Sequence, residues 1–262
     1  MKEYKNHTFV ICAYKESKYL EECIKTVINQ TVKSNIIMST STPNYYIKNL
    51  AEKYNIKLYI NEGEKGIGQD WNFGVSKATT DYVTIAHQDD IYKPSYLEEI
   101  VNKLEEGKDF VISFTKYTET KGGKEIPVNF NLRLKEFLLF PLRFFNKSKF
   151  WKKLSLSFGN AISCPTVTLN KKVVGNNPYK TELKCSLDWD TWLELTKYKG
   201  RYLYIPKYLM SHRIHQDSET TSLIESNVRL EEDYIMFKKI WPDFLAKMLM
   251  KLYKNSIKTN KV

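Results

Sequence analysis

The sequence predicts an α/β protein with a mostly parallel central sheet and helices on both faces. Strand and helix signals alternate through the first 115 residues. The predicted strands are short continuous apolar runs, as in strands that are buried on both faces. The segments between them repeat apolar residues at helical spacing, and this alternation is typical of parallel sheets. With 262 residues, 42% of them hydrophobic, the chain can form one large domain with a buried core.

The elements of this half follow one another without long gaps. We predict strands at Thr8–Tyr14, Asn35–Ser39, Lys57–Ile60, Asp81–Ala86 and Asp109–Phe114. We predict helices between them, from a cap at Ser17 to about Gln30, from Tyr46 to Tyr54, from a turn at Gly66 and Gly68 to Ala78, and from Pro94 to a stop at Gly107. Ligands of such sheets bind beyond the carboxyl ends of the strands. We therefore expect the site near Tyr14–Glu16, Ser39–Thr42 and His87–Asp90.

The second half of the chain is less regular. Lys121–Lys124 reads as a turn, Asp188–Thr196 as a short helix and Tyr202–Ile205 as a strand. We expect one domain over residues 1–220, with halves 1–115 and 116–220, followed by a basic helical appendage over residues 221–262.

Positive charge is concentrated in two segments. The net charge is +11, and residues 131–157 and 237–262 each carry seven Lys or Arg and one acidic residue. In the second segment apolar residues recur at helical spacing, while another face carries Lys247, Lys251, Lys254 and Lys258. Such a basic amphipathic helix can lie on an anionic membrane surface. The alternative is a helix that packs on the main domain and turns its lysines to solvent.

Targeting and redox signals point to the cytoplasm. The chain has no apolar run of 18 residues, and Met1–His7 is polar without an apolar h-region. Its four cysteines show no C-x-x-C spacing, so we expect neither a zinc site nor a disulfide framework. We expect a cytoplasmic protein, either free or bound peripherally at the inner face of the plasma membrane.

An acidic cluster, His87-Gln88-Asp89-Asp90, directly follows the fourth apolar strand. Two adjacent carboxylates at a strand end are unfavourable unless a cation or hydrogen bonds hold them. A hard divalent ion satisfies both carboxylates and can also bind a diphosphate. A solvated turn with a helix cap is the alternative interpretation.

The order of four motifs resembles the family-2 inverting glycosyltransferases of the GT-A (Rossmann-like) fold, of the bacterial surface-polysaccharide type. The opening FVICAYKESKYLEECIKTVINQT is similar to the first strand, loop and helix of that family. The stretch from NEGEKGIGQDWNFG to the acidic cluster, the later SLDWDTWLEL and the SHRIHQDSETTS loop follow in the family's order. The resemblance covers roughly residues 7–220. It implies a donor-binding half over 1–115 and an acceptor-binding half over 116–220.

The resemblance also implies roles for single residues. It places the nucleotide-sugar donor against Ala13, Tyr14, Glu16, Ser39, Thr40, Trp71, Asn72, His87 and Asp90. It makes Asp89 the chief ligand of a divalent metal, Mn²⁺ or Mg²⁺, with His215 beside the metal or the diphosphate. It makes Asp188 the general base that deprotonates a hydroxyl of a glycan or lipid-linked acceptor, with Asp190 as the alternative. A helix N-cap at Asp188, a simple loop histidine at His215 and burial of Trp71 are the competing interpretations.

Four positions depart from the family's pattern. Ser39-Thr40-Ser41-Thr42 stands where the family has an Asp pair that reads the base, and Trp71 replaces a helix arginine. His87 replaces the first acid of the metal motif, and Leu187 replaces the Glu before the catalytic Asp. Uridine diphosphate is the default expectation for the donor nucleotide. An inactive relative that still binds a nucleotide sugar is an alternative.

Two other classes compete with this interpretation. The charge and interleaved aromatics suggest a nucleic-acid-binding protein, but no motif of that class is present and the acidic cluster would repel phosphate, so we expect no nucleic-acid partner. A nucleotidyltransferase also uses a metal and paired acids. The acidic motif at Asp188 favours sugar transfer over this second class.

Overall fold

A computed structural model describes residues 2–105, 107–215 and 228–258, which form a single mixed sheet with helices on both faces. The strands are β1 (Lys2–Cys12), β2 (Val32–Thr40), β3 (Lys57–Ile60), β4 (Tyr82–His87), β5 (Ile91–Tyr92), β6 (Phe110–Lys121), β7 (Lys124–Ile126), β8 (Val167–Asn170) and β9 (Arg201–Ile214). The helices are α1 (Leu20–Ile28), α2 (Tyr45–Lys53), α3 (Ile67–Lys77), α4 (Tyr96–Glu105), α5 (Phe130–Leu139), α6 (Lys149–Ser155), α7 (Lys171–Val174), α8 (Leu187–Leu195), α9 (Val228–Ile240) and α10 (Asp243–Lys258).

The strands lie in the order β3-β2-β1-β4-β8-β6-β9-β5, and β7 forms a hairpin with β6. The first four strands in this order pair in parallel, as the alternation of strands and helices predicts. β8 inserts antiparallel between β4 and β6, and β5 pairs antiparallel with β9. The α/β fold class is confirmed, and the irregular second half of the chain supplies the antiparallel strands.

The register brings three strand ends to one place. Cys12 at the end of β1 pairs with Ser39 of β2 on one side and with His87 of β4 on the other. Because the three strands are parallel, the loops that follow them leave the sheet at the same edge. This edge is where the sequence predicted the site.

Each face of the sheet has its own core. On one face, Leu20 of α1, Ile47 of α2 and Leu97 of α4 pack against the sheet. The other face carries α3 and α8, together with the C-terminal helices through Phe237 of α9 and Ala246 of α10. The basic appendage therefore packs on the main domain along one of its sides.

A close approach of α3 to the sheet requires a glycine. A Cβ on Gly74 would lie 2.6 Å from Cγ1 of Val10 and 3.1 Å from Oγ of Ser39. No real Cβ fits at the first distance, so only glycine lets α3 lie this close to β1 and β2. The contact sets the depth of the helix that carries Asp70 and Trp71.

Two local predictions need correction. β1 begins at Lys2 rather than Thr8, because Lys2 and Glu3 pair with β2 ahead of an irregularity in the register. Ser17 does not cap α1: the N-cap is Tyr19, and the Ser17 hydroxyl instead accepts a hydrogen bond from the Tyr19 N–H, in the turn ahead of the helix.

Within the described ranges, none of the helices has the length and apolar character needed to cross a membrane. The part of the SHRIHQDSETTS motif that follows His215, and the side chains of Lys254 and Lys258, lie outside the described residues.

Candidate active site

The acidic cluster lies at the carboxyl edge of the sheet. His87 ends β4, and Asp89 and Asp90 occupy the turn before β5. One ligand atom from each of these three residues lies within 4.8 Å of the others. Tyr92 of β5 anchors the end of the turn, because its buried hydroxyl donates to the Pro165 carbonyl at 2.7 Å. The strand end thus presents three candidate metal ligands on a fixed turn.

Asp90 is the buried anchor of this cluster. Its side chain is fully buried, and Oδ1 accepts hydrogen bonds from His212 Nδ1 at 2.9 Å and from the Arg213 N–H at 3.0 Å. Burial disfavours the charged imidazole, but the attraction of Asp90 and Asp89 outweighs it and raises the pKa of His212 to about 9. Asp90 therefore links β9 to the turn through Oδ1, and its Oδ2 is the oxygen left to contact a ligand.

Asp89 is the more accessible carboxylate. Its Oδ2 lies 2.9 Å from Nε2 of His215, and Nε of Arg213 donates to its backbone carbonyl at 2.9 Å. Burial opposes ionisation, but the bond to His215 and the nearby histidines lower the pKa of Asp89. The structure thus brings the predicted metal residues Asp89 and His215 together.

Arg213 ties the cluster to α1 and is not exposed to a phosphate. Its Nη2 donates to Glu22 at 2.6 Å, and its guanidinium lies 4.4 Å from the centre of the Tyr19 ring. The residue is only 5% exposed. Its guanidinium therefore braces Asp89 and His215 from behind.

The donor set fits a divalent metal ion. Nε2 of His87 and Oδ2 of Asp90 are both buried and have no hydrogen-bond partner among the described residues. Burial lowers the pKa of His87, which keeps the imidazole neutral and its lone pair available. Imidazole and carboxylate groups together suit Mn²⁺ and related ions. His87, which the sequence assigned to the donor, is better placed as a member of this cluster.

The loop after β1 is pinned to the cluster by Gln88, which the sequence reasoning did not single out. Its side-chain amide accepts from the Tyr14 N–H at 2.9 Å and donates to the Tyr14 carbonyl at 3.0 Å. The Tyr14 side chain is 46% exposed and Glu16 is exposed, so both are available to a ligand. Ala13 is buried, and its N–H donates a hydrogen bond to the Ser39 carbonyl.

Ser39 and Thr40, which the resemblance places against the donor, are buried at the end of β2. Both residues are 2% exposed, and their donor contacts stay predictions. The Ser39 hydroxyl lies under α3, 3.6 Å from Sγ of Cys12, and the Thr40 hydroxyl accepts from the Thr42 N–H at 3.0 Å. Because residues alternate sides along a strand, these two side chains lie on opposite faces of the sheet.

A carboxylate from α3 occupies the edge where β2 ends. Asp70 accepts a hydrogen bond from the Ser41 hydroxyl at 2.6 Å and another from Nδ2 of Asn61 at 2.7 Å. The sequence shows no acid directly after β2, and Asp70 was not predicted as a site residue. Its position in the first turn of a helix that follows a glycine turn was the available signal.

Trp71 and Asn72, which the resemblance places against the donor, both pack inward, and their donor contacts stay predictions. Trp71 is 5% exposed and stacks on the His87 ring, with 5.0 Å between centroids. Both amide atoms of Asn72 bond the backbone of Tyr179 at 2.9 Å, joining α3 to the loop before α8. These side chains shape the site from beneath and leave little surface for a nucleotide.

Asp188 presents a half-buried carboxylate at the start of α8. Its Oδ2 accepts from Nδ2 of Asn160 at 2.7 Å, and its Oδ1 accepts from the Trp189 N–H at 2.8 Å. Burial raises the pKa of Asp188 to about 6, and the two hydrogen bonds partly offset that rise. The helix N-cap is Ser186, so capping does not account for Asp188.

Asp190 faces the opposite direction. It is 6% exposed and forms an ion pair with Lys239 of α9 at 2.7 Å. An acid of α9, Glu232, accepts from the N–H groups of Lys184, Cys185 and Ser186, which lead into α8. Helix α9 thus fixes α8, and Asp190 contributes to that contact.

A row of aromatic rings connects the acidic cluster to α8. Trp71 touches the His87 ring on one side and the Tyr179 ring on the other, each at 5.0 Å, and Tyr179 meets Trp192 of α8 at 5.8 Å. Below this row, burial and then the charges of Asp188 and Asp90 raise the pKa of the Cys164 thiol. The row of rings thus runs from His87 of the cluster to α8, the helix whose first turn carries Asp188.

Comparison with known proteins agrees with this geometry. Residues 8–164 match the family described as Glycosyl transferase family 2. An uncharacterized glycosyltransferase of Rickettsia typhi is 26% identical over 250 residues, which are 92% of this chain and 72% of the relative. An uncharacterized glycosyltransferase of Haemophilus influenzae is 30% identical over 122 residues, covering 44% of this chain and 38% of the relative.

Solved structures share the fold. TarS residues 1–349 of S. aureus in complex with UDP-GlcNAc superposes with a TM-score of 0.62 at 14% identity, over 95% of this chain and 70% of that one. The mannosyltransferase PcManGT of Pyrobaculum calidifontis, in complex with GDP-Man and Mn²⁺, gives a TM-score of 0.60 at 13% identity, over 90% and 64%. At these identities the similarity shows the GT-A fold alone.

Proposed function

The chain belongs to glycosyltransferase family 2, and we propose that it is a metal-dependent inverting enzyme of that family. In this proposal a sugar passes from a nucleotide-sugar donor to a hydroxyl of its acceptor. The observation that carries the proposal is the His87–Asp89–Asp90 cluster, in which one ligand atom of each residue lies within 4.8 Å of the others. In the same cluster Nε2 of His87 and Oδ2 of Asp90 are buried without a partner among the described residues. Unpartnered polar atoms at this depth are unfavourable unless a ligand satisfies them.

Asp188 is the proposed general base. Inversion in one displacement requires a group that takes the proton from the acceptor hydroxyl as it attacks. A carboxylate with a pKa of about 6 is mostly ionised at neutral pH and is a stronger base than an ordinary aspartate. Asn160 holds Oδ2 in place, so the carboxylate is oriented before the acceptor arrives. We assign no catalytic role to Asp190, because Lys239 holds it in an ion pair.

Asp89 is the proposed chief metal ligand, supported by His87 and Asp90 and with His215 beside it. A divalent ion bound there would neutralise the charge that develops on the leaving diphosphate. The protein's own contribution is rigidity. Arg213 fixes the Asp89 backbone, and His212 fixes Asp90, so the carboxylates need no rearrangement to accept a ligand.

Asp70 is the proposed reader of the donor base, in place of the missing acid after β2. Its carboxylate is half-buried at the edge of the sheet, and the hydrogen bonds from Ser41 and Asn61 fix its orientation. Each oxygen retains a lone pair for a base N–H. A UDP-sugar is the proposed donor, since the uracil ring offers one such N–H beside its carbonyl groups. The exposed Tyr14 ring is available to pack against the nucleotide.

We divide the roles between residues 1–115, which bind the donor, and residues 116–220, which receive the acceptor. The division has one exception. His212 and Arg213 of β9, and His215 directly after it, contact the acidic cluster of the donor-binding half. A glycan or lipid-linked acceptor and a role in cell-surface polysaccharide synthesis suit a peripheral position at the inner face of the membrane.

Metal-dependent donor binding tests the proposal. Purified protein is titrated calorimetrically with UDP-, GDP-, dTDP- and CDP-sugars, with and without Mn²⁺. We expect one donor to bind with Mn²⁺ and at least tenfold more weakly without it. Asp89→Asn should lose the metal-dependent part, and Mn²⁺ binding followed by electron paramagnetic resonance should weaken in parallel.

Asp109→Asn is the matched control, since Asp109 is an exposed aspartate that pairs with Lys147 and Arg201 away from the cluster. It should bind donor and metal as the wild type does. Donor binding that is indifferent to Mn²⁺ and to Asp89→Asn would contradict the metal assignment. Release of pyrophosphate in place of a nucleoside diphosphate would favour nucleotidyl transfer.

A further inference from the structure

Residues 130–158 form a surface of exposed aromatic rings. Six phenylalanines of this segment are at least half exposed, and Phe158 is 41% exposed. The six are Phe130, Phe137, Phe140, Phe144, Phe145 and Phe150. Of the eight exposed phenylalanines among the described side chains, seven lie in this segment. Leu132, Leu139 and Leu142 of the same segment are buried in the core, whereas Leu134 is 46% exposed and adds to the apolar surface.

The same surface is strongly basic. Arg133, Arg143, Lys147, Lys149 and Lys153 are all exposed. Neither Arg133 nor Arg143 forms a salt bridge with a residue that the structure describes. Unpaired guanidinium groups among exposed rings form a surface that is attractive to an anionic and partly apolar partner.

A cleft of about 240 Å³ opens within this surface. Arg133, Arg143 and Lys116 line it, with Phe137 and Phe140 at its rim. The single acid of the lining, Glu136, is already compensated by Lys116 at 2.6 Å and by the Tyr208 hydroxyl at 2.5 Å. The cleft therefore has an excess of two positive charges.

A buried hydroxyl in the lining also lacks a partner. Tyr204 is 5% exposed, and its hydroxyl is buried without a hydrogen bond to any described residue. An unsatisfied hydroxyl is unfavourable in a closed interior but suits a site that takes a phosphate oxygen. Two arginines, a hydroxyl donor and two phenylalanines that line one cleft match a phosphate group that carries apolar chains.

We propose that residues 130–158 dock on an anionic phospholipid bilayer, with the phenylalanines in the interface and one lipid phosphate in the Arg133–Arg143–Tyr204 cleft. The surface continues to the C-terminal helices, because Phe158 contacts Trp241, whose Nε1 donates to the Ser157 carbonyl at 2.7 Å. Beyond Trp241, α10 exposes Phe244, Met248 and Lys247. The inference adds a specific docking surface to the peripheral position proposed above.

Docking would hold the proposed base near the lipid surface. Asn160, the partner of Asp188, follows Phe158 by two residues, and Trp189 Nε1 donates to the Leu156 carbonyl of the same segment. The docking surface and the acceptor side of the site therefore share one stretch of chain.

Co-sedimentation with vesicles tests the inference without donor or metal, so its outcome does not depend on the proposed activity. The vesicles contain phosphatidylcholine alone or with about 30% phosphatidylglycerol, at about 0.1 M salt. We expect tight binding only to the anionic vesicles. Arg133→Gln/Arg143→Gln should weaken binding about 30-fold, since each interfacial cation contributes a factor of about five. Phe137→Ser/Phe144→Ser should weaken it at least about tenfold.

Matched variants on another face serve as controls. Lys48→Gln/Lys57→Gln removes two exposed lysines that line a separate cleft, and Tyr45→Ser removes a ring that is 84% exposed. Both should bind vesicles as the wild type does. Tyr204→Phe should weaken binding of phosphatidylglycerol vesicles severalfold with no loss of thermal stability.

Three results would overturn the inference. The wild type could bind neutral and anionic vesicles alike, or the Arg and Phe variants could bind like the controls. Glycerol phosphate could bind with the same dependence on Arg133 and Arg143 while vesicles do not bind, which would indicate a site for a soluble phosphate. A dimer in sedimentation equilibrium that Phe137→Ser/Phe144→Ser dissociates would assign the surface to a second copy.

Discussion

Removing the Asn160 amide should shift the pH dependence of the reaction. In the structure its Nδ2 donates to Oδ2 of Asp188 at 2.7 Å, and this bond lowers a pKa that burial raises to about 6. A hydrogen bond to a charged group contributes about 1.5–3 kcal/mol, and one pKa unit corresponds to about 1.4 kcal/mol. Asn160→Ala should therefore raise the pKa of Asp188 by about one to two units.

The shift has a defined effect on rate. A base must be ionised to act, so the wild-type rate should fall below a pH of about 6, and the acidic limb of the variant should lie at a pH of about 7 to 8. At pH 6 the variant should then be about five- to fifty-fold slower than the wild type. At pH 9 Asp188 should be almost fully ionised in both proteins, so this difference in rate should disappear.

The assay is nucleoside diphosphate release, measured as kcat/KM from pH 5 to pH 9.5. Asn146→Ala, which changes a half-buried asparagine of the same segment, is the control and should keep the wild-type limb. An acidic limb that stays at the wild-type position in Asn160→Ala, in a protein with unchanged thermal unfolding, would refute the assignment of Asp188 as the titrating base.

Three further outcomes follow from the contacts at the site. Asp188→Asn should stabilise the fold by about 1–2 kcal/mol at pH 8 and not at pH 4, as measured by thermal unfolding. Burial raises the pKa of Asp188 in the folded chain to about 6. The wild type therefore loses stability as the pH rises from 4 to 6, and the variant does not. An equal effect at both pH values would contradict it. Asp70→Asn should weaken UDP binding about tenfold in calorimetry, with Glu62→Gln as an exposed control, whereas undiminished affinity would remove Asp70 from the base site. Gly74→Ala should lower the unfolding free energy by about 1–3 kcal/mol, because the new Cβ would meet Val10 at 2.6 Å, and an unchanged melting temperature would show that α3 can shift.

The sequence carried enough information for the fold class because its first half is locally consistent. The strand at Lys57–Ile60 and the helices between the first four strands follow directly from apolar spacing and from turn residues. The antiparallel insertion of β8 could not be predicted, since Val167–Asn170 is a four-residue strand whose neighbours, β4 and β6, are set by the whole sheet. Its partner strands lie more than 45 residues away in sequence.

The site was predictable where its chemistry is local. The adjacent acids after β4 identify the cluster, and the structure brings Asp89 and His215 together as the resemblance implied. The contacts that tune the site are not local. Gln88 reaches Tyr14 across 74 residues, and Asn160 reaches Asp188 across 28. Local pattern also cannot decide which way a helix residue faces at the edge of a sheet, and so it missed Asp70.

The same limit applies to the burial of four residues that the resemblance places against the donor. Trp71 and Asn72 lie on the helix that Gly74 draws close to the sheet, and this depth turns both side chains inward. Ser39 and Thr40 end a strand whose last two residues are still covered on both faces.

The most direct test of the account compares Asp188→Asn with the wild type on one preparation. Donor binding with Mn²⁺ is measured by calorimetry, and nucleoside diphosphate release is then measured with the same donor. We expect unchanged donor affinity and a loss of turnover of about 10²–10⁴-fold, the usual contribution of a general base. Turnover by Asp188→Asn at the wild-type rate, with the donor bound normally, would contradict it.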